Sequence, residues 1–154
     1  MLTLRWARAE DCRLVWEWAN AAEVRAVSFT SHSIPWDSHV AWFDAKLADP
    51  QVFLYIAEDN GVAVGQIRYD MLNDDAVVSV SLDPKCRGRG YGAKVIEIGT
   101  VEIFGKSNAR TIHAYIKPGN DASVSAFARA GFCDAGDAVV RGQPAIHMVK
   151  KKDS

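Results

Sequence analysis

Apolar and polar positions alternate along Leu2-Thr3-Leu4-Arg5-Trp6, the period of a strand with one buried face. From Glu10 to Asn20 the period lengthens. Leu14, Val15, Trp16 and Trp18 fall at helical spacings behind acidic residues suited to a first turn, which predicts a helix. No period is sustained from Ala21 to Pro35, and this segment reads as a loop. Pro35-Trp36-Asp37 then opens a second helix bearing Val40, Trp42, Phe43 and Leu47. Two β-rich runs, Val52 to Ala57 and Val62 to Tyr69, flank Asp59-Asn60-Gly61, and Asn-Gly supplies the positive φ angles of a tight hairpin. A third run, Ala76 to Leu82, follows the turn signal Asn73-Asp74-Asp75 and stops at Asp83-Pro84, which completes an antiparallel meander.

The second half of the chain alternates differently. A glycine-rich stretch precedes a helix from about Tyr91 to Phe104, and a strand from Arg110 to Ile116 stops at Pro118-Gly119. Asn120-Asp121 caps a further helix that Gly131 ends, and two short strands follow near Phe132 to Gly136 and Ala145 to Lys150. The order β-α-α-β-β-β-α-β-α-β-β implies an α/β (α+β mixed) fold, a mixed central sheet of about seven strands flanked by four helices. One domain spans residues 1–150, and 151–154 read as a frayed tail.

At 154 residues with 49% hydrophobic content, the chain can bury one core but not two. A formal net charge of −1 gives no sequence-wide field for nucleic acid or an anionic membrane, so any anionic ligand must be held locally. No apolar run approaches the roughly 20 residues of a spanning helix, and Met1 to Arg8 lacks the apolar core of a leader, so a cytoplasmic location is expected. Cys12, Cys86 and Cys133 are odd in number and lack a CxxC pair, which predicts free thiols; with no HExxH or paired Cys/His spacing, no metal is expected.

The candidate chemistry lies in Arg87-Gly88-Arg89-Gly90-Tyr91-Gly92, between a strand and a helix. Glycines let several N–H groups converge, and a following helix adds its positive end, which together hold a phosphate or pyrophosphate. A surface turn with solvated arginines is the alternative. The spacing GxGxG misses the dinucleotide fingerprint GxGxxG by one position, and Gly105-Lys106-Ser107 lacks the first glycine of a P-loop.

Arg87, Gly90 and Gly92 fit the Gln/Arg-x-x-Gly-x-Gly/Ala signature of the GNAT family of N-acetyltransferases, and the chain resembles that family over residues 2 to 150. A second family element follows in order, matched by Asn120, Ser123, Phe127, Gly131 and Phe132. The resemblance implies a sheet splayed between its fourth and fifth strands with acetyl-CoA in the opening. It would place Val80, Ser81 and Leu82 along the pantetheine arm, and the amides of Arg87, Gly88, Arg89, Gly90, Tyr91, Gly92 and Ala93 around the pyrophosphate. Asn120, Ser123 and Phe127 would line the far side. It further implies direct attack by a deprotonated amine, with the backbone amide near Leu82 stabilising the oxyanion. Many relatives carry a tyrosine where this chain has Phe127, so the usual acid for the thiolate is missing; water, Ser125 or Tyr91 are the substitutes.

The N-terminal half resembles acetyltransferases of nucleotide-linked amino sugars in pseudaminic acid synthesis, through Trp16-x-Trp18-x-Asn20, Glu23-Val24-Arg25, Ser28-Phe29, Ile34, His39 and Trp42-Phe43. Arg25, Ser28, Phe29, His32 and His39 are therefore candidate contacts to a small-molecule amine acceptor, and a homodimer is allowed for. Ribosomal-protein or peptide N-terminal acetylation and a non-catalytic acyl-CoA-binding module are the alternatives. Asp70 and His113 are candidate proton acceptors, as is Glu58. Each has a plainer reading as a solvated strand end or a sheet residue; likewise the tryptophans and His39 suit a core, and His147 reads as structural. Cys86 adjoins the glycine loop, where a covalent acetyl-cysteine is conceivable but unnecessary.

Overall fold

The computed structural model describes residues 1–153. Seven strands form one sheet in the order β1-β2-β3-β4-β5-β7-β6: β1 (Leu2–Trp6), β2 (Val52–Asp59), β3 (Val62–Leu72), β4 (Asp75–Leu82), β5 (Thr111–Ile116), β6 (Cys133–Val140) and β7 (Gln143–Lys151). All neighbours are antiparallel except β4 and β5, so the sheet is mixed as the element order predicts. Its hairpins are built where turn chemistry says. Asn60 and Gly61 have φ of 52° and 83°, and Asn73 has φ of 59° between β3 and β4.

Alternation along β2 divides the molecule into two layers. Tyr55 and Ala57 face one side, with Ile67 and Tyr69 of β3, and pack under α4 (Tyr91–Lys106) and α5 (Asp121–Arg129) around Val95, Ile96, Ile103 and Phe127. Leu54 and Ile56 face the other, against Val15 and Trp18 of α1 (Cys12–Asn20) and Phe43 of α3 (Trp36–Ala48). Phe43, Ile56, Ile67 and Tyr69 are fully buried, and each apolar side chain so buried contributes roughly 1.5–3 kcal/mol. The tryptophan-rich first helix is thus a core element: Trp18 is buried, and Trp16 donates its indole N–H to the Ile34 carbonyl, 2.8 Å away.

Three local readings need correction. The segment from Ala21 to Pro35 contains a short helix, α2 (Ala22–Ala26), whose single turn is below the length at which periodicity shows. Strands β6 and β7 run longer than the sequence suggests, because Arg141 and Gly142, with φ of 50° and 77°, close a tight hairpin that no Asn-Gly signal announced. The basic C-terminus is not frayed at residues 150–152: Lys150 and Lys151 pair with Ile112 and Thr111, and the Lys152 amide donates to Arg110 O at 2.8 Å.

Candidate active site

The opening in the sheet follows from its one parallel pairing. Strands β4 and β5 share only three partners, Asp75 with Thr111, Ala76 with Ile112 and Val77 with His113. Beyond them β4 continues through Val80, Ser81 and Leu82 on β3 alone, so its other edge is without a strand partner. Gly65, opposite Leu82, lets the two strands approach: a Cβ there would lie 2.7 Å from the Ser81 carbonyl. A glycine inside a strand run is the signal that marks such an approach.

At the end of β4 the chain makes a short 3-10 turn, Pro84–Cys86, capped by the Asp83 carboxylate on the Lys85 amide at 3.0 Å, and enters the glycine loop. Gly88 and Gly90 both have φ of +77°, a conformation L side chains rarely adopt, and around both the space a Cβ would take is empty. Gly90 is the cap of α4 and offers no side chain to its first amides, so the N–H groups of Tyr91, Gly92 and Ala93 are left for a ligand. Arg87 and Arg89 stand exposed beside them. These residues fit a pyrophosphate. Gly92 lies close to α5, where a Cβ would sit 3.4 Å from Ala126.

Other expected cofactor residues serve the scaffold. Asn120 caps α5 by accepting from the Ser123 amide at 3.3 Å. Phe127 is 3% exposed and meets Phe132 edge-on, ring centroids 5.0 Å apart. Neither substitute acid for the thiolate is well placed. Ser125 is exposed on α5, and the Tyr91 hydroxyl is held by Asp59 at 2.5 Å, a bond that raises the phenol's pKa.

The opposite face of the opening carries the acceptor candidates, and here several expectations change. His39 is buried among Trp36, Trp42 and Phe43 with Nε2 2.8 Å from Cys12 O; burial lowers its pKa, and it has no access to a ligand. Asp70 is ion-paired to Lys46 and Arg68, both at 2.8 Å. Burial alone would push its pKa up, but the two cations hold it below the ordinary carboxylate value, which removes Asp70 as a base. Glu58 is likewise engaged, accepting from Arg5 Nε at 2.9 Å. The guanidinium of Arg25 donates to Ala19 O at 2.7 Å, Thr30 O at 2.8 Å and Ser28 Oγ at 3.2 Å, so it shapes the loop from within. His32 is exposed, and Phe29 holds the Gln143 side chain through its carbonyl at 2.6 Å. With Arg141 donating to Thr30 Oγ1 at 2.9 Å and Lys117 reaching Ala26 O and Ser28 O at 3.4 Å, these bonds tie the α2–α3 loop across β5 and the β6–β7 hairpin.

His113, on the same face, is not alone. Its Nε2 is 2.9 Å from Asp75 Oδ1 and its Nδ1 2.8 Å from His147 Nε2, so both ring nitrogens are occupied within the protein. His113 therefore cannot touch an amine itself. Tyr115 stacks on His147 at 4.7 Å. Sequence reading singled out His113 but not the partners, which come from strands 34 and 38 residues away.

A mixed sheet parted after three parallel pairs, with an uncapped glycine-headed helix at one end of the gap, defines an acyl-CoA N-acetyltransferase. Residues 1–133 match the acetyltransferase (GNAT) domain, and the chain belongs to that family. It is an acetyl-CoA-dependent N-acetyltransferase. It is 27% identical over 143 residues, 88% of this chain and 86% of the other, to a Bacillus subtilis (strain 168) protein that carries a provisional phosphinothricin acetyltransferase name. Among solved structures, aminoglycoside acetyltransferase AAC(6')-Ib in complex with coenzyme A has a TM-score of 0.87 at 20% identity, covering 99% of this chain and 95% of that one. Spermidine N-acetyltransferase from Vibrio cholerae, with CoA and spermine, has a TM-score of 0.86 at 19% identity, covering 97% and 95%. At these identities the likeness is one of fold.

Proposed function

We propose that the protein acetylates the primary amine of a small acceptor that also carries negative charge, a nucleotide-linked amino sugar in the first instance. The supporting observation is the set of cations around the α2–α3 loop. Arg25, Lys117 and Arg141 make their hydrogen bonds to carbonyls and hydroxyls, and none has a carboxylate within 4.0 Å among the described residues. Such a rim attracts a phosphate or carboxylate and repels a polycation. Arg141, exposed on its hairpin and held by one bond to Thr30, and Lys117, just past β5 and held by two long bonds of 3.4 Å, are the side chains that can exchange loop contacts for such a group.

In this reading the amides of Tyr91, Gly92 and Ala93, with Arg87 and Arg89, bind the pyrophosphate of acetyl-CoA, and Val80, Ser81 and Leu82 pair with its pantetheine arm. The backbone amide near Leu82 faces the oxygen on which charge develops during attack. Acetyl-CoA supplies the activated acyl group; the chain positions the two reactants and manages the proton of the amine. Asn120, Ser123 and Phe127 shape the second wall, and Ser28, Phe29 and His32 the acceptor loop.

A second reading, a small acidic amino acid of the kind phosphinothricin represents, draws on the same cations and on the Bacillus relative's name. A thiol-release assay with acetyl-CoA against nucleotide amino sugars, acidic amino acids, spermidine, kanamycin and peptides decides among them. The nucleotide sugar is expected to give the highest kcat/KM, and Lys117→Ala and Arg141→Ala to raise its KM severalfold at unchanged acetyl-CoA affinity. Preference for spermidine or kanamycin would overturn the anionic-acceptor reading.

A further inference from the structure

The face opposite α4 holds a hydrogen-bonded chain of three side chains, Asp75, His113 and His147, at the point where β4 and β5 part. A carboxylate can only accept, so the Asp75 bond fixes the proton of neutral His113 on Nε2. Its Nδ1 then carries a lone pair, and the 2.8 Å bond to His147 requires that His147 donate from Nε2. One lone pair is left over along the chain, on His147 Nδ1, which has no hydrogen-bond partner among the described residues. His147 is half-buried on β7 and pairs across to Tyr115 of β5, the strand that borders the opening, two residues beyond the last β4–β5 partner; it lies one strand back from the gap, on the same face as His113.

We propose that His147 is the general base of the transfer, accepting the acceptor's ammonium proton at Nδ1, with Asp75 and His113 as positioning residues that hold it in the required tautomer. This rests on the reading of that face as the acceptor side. The step balances simply. The ammonium N–H bond breaks, its electron pair stays on nitrogen for attack, and the proton joins His147. The imidazolium so formed keeps its Nε2–H on His113, which Asp75 orients, and its Nδ1 proton passes to water once the product has left, which restores the starting tautomers. The titratable groups facing His147 are Asp75 from β4, His113 and Tyr115 from β5 and Asp134 from β6. Burial and the neighbouring His113 lower the pKa of His147, with Asp134 opposing them, which keeps the ring neutral and receptive near pH 7.

The test compares two nucleophiles that differ in their need for a base. Glucosamine, a protonated primary amine near neutral pH, must lose a proton before attack; hydroxylamine is already unprotonated. His147→Gln is expected to lower kcat for glucosamine by about 10²-fold or more at pH 7 while changing hydroxylamine transfer and the acetyl-CoA KM less than about threefold. Asp75→Ala, at a half-exposed position, should lose about tenfold with glucosamine only. Nitrogen-15 NMR of the wild-type histidines should show Nε2–H on both rings, and this measurement stands whichever acceptor is natural. An Nδ1–H tautomer at His147, equal losses with both nucleophiles, or no loss with glucosamine would overturn the proposal. Failure of nucleotide sugars alone would overturn only the acceptor reading, and with a wild type that turns over neither probe the histidine tautomers decide the proposal.

Discussion

The hydroxyl of Tyr91, first residue of α4, donates to Asp59 at the end of β2 across 2.5 Å, and the same carboxylate receives the Met1 ammonium at 3.1 Å. This bond anchors the helix whose first amides face the glycine loop to the far side of the sheet. It also commits the phenol. A hydroxyl bound to a carboxylate, with its pKa raised by that bond, is a poor donor to a departing thiolate.

Tyr91→Phe is therefore expected to leave kcat within about threefold, because general-acid loss costs about 10²-fold or more and no acid is being removed. Acetyl-CoA binding should weaken modestly as the helix start loosens. Calorimetry and steady-state kinetics on the same preparation check both halves; a kcat falling in parallel with thiolate protonation would reinstate Tyr91 as the acid.

Gly90→Val separates backbone conformation from packing. At φ +77° the Cβ of the new side chain meets nothing within 4 Å, so the cost of about 1–3 kcal/mol comes chiefly from conformation. If the loop relaxes to avoid that strain, the amides of Tyr91 to Ala93 lose their common focus, and acetyl-CoA affinity should drop about tenfold or more. Gly92→Val serves as contrast. It meets Ala126 and should lower Tm through the α4–α5 contact as well.

Much of this architecture is readable from the chain, and the limits have a physical pattern. Asn60-Gly61 and Asn73-Asp74 mark hairpins because their backbone preferences are local, and Arg87 to Gly92 marks the anion loop for the same reason. The parting of β4 from β5 came by family likeness, not by periodicity. The ion pairs of Asp70 join residues up to 24 positions apart, and the Asp75–His113–His147 chain depends on the registers of β4, β5 and β7. No spacing rule reveals such contacts. The same holds for Arg5, which clasps Asp11 through both terminal nitrogens at 2.8 and 2.9 Å while its Nε reaches Glu58.

That clasp sets a pH dependence. Arg5 hydrogen bonds lower the Asp11 pKa against the opposing effect of burial, and Asp11 is 5% exposed. A carboxyl whose folded pKa lies below its unfolded value adds stability that is present above the unfolded pKa, near 4, and is lost as pH falls through the folded one. Urea denaturation between pH 6 and pH 2.5 should show this loss below about pH 4. Asp11→Asn should flatten that slope and cost about 3 kcal/mol at neutral pH by leaving Arg5 part-buried with one fewer anion. An unchanged slope in the variant would assign the acid sensitivity elsewhere, with Asp59 and Asp70 next in line since both are also lowered.

Phe127 is where this chain departs from the family pattern, and the structure sharpens what replacing it should do. The ring is 3% exposed, so Phe127→Tyr introduces a hydroxyl that, without ligand, is nearly cut off from water. Burying an unpartnered hydroxyl costs roughly 1–3 kcal/mol, and the variant without ligand should melt a few degrees lower. In the proposed cofactor placement CoA brings a sulfur acceptor against α5, and on that reading CoA should raise the Tm of Phe127→Tyr more than that of the wild type. The same hydroxyl then protonates the departing thiolate and raises kcat, by at most about 10²-fold, because a thiol of pKa near 8.5 already leaves tolerably without help. Differential scanning calorimetry with and without CoA, beside kcat measured where chemistry limits turnover, reads both effects. A larger CoA-induced shift with unchanged kcat would place the hydroxyl at the sulfur yet show that proton delivery is not what limits the reaction. An equal shift with unchanged kcat would mean that position 127 only packs the core.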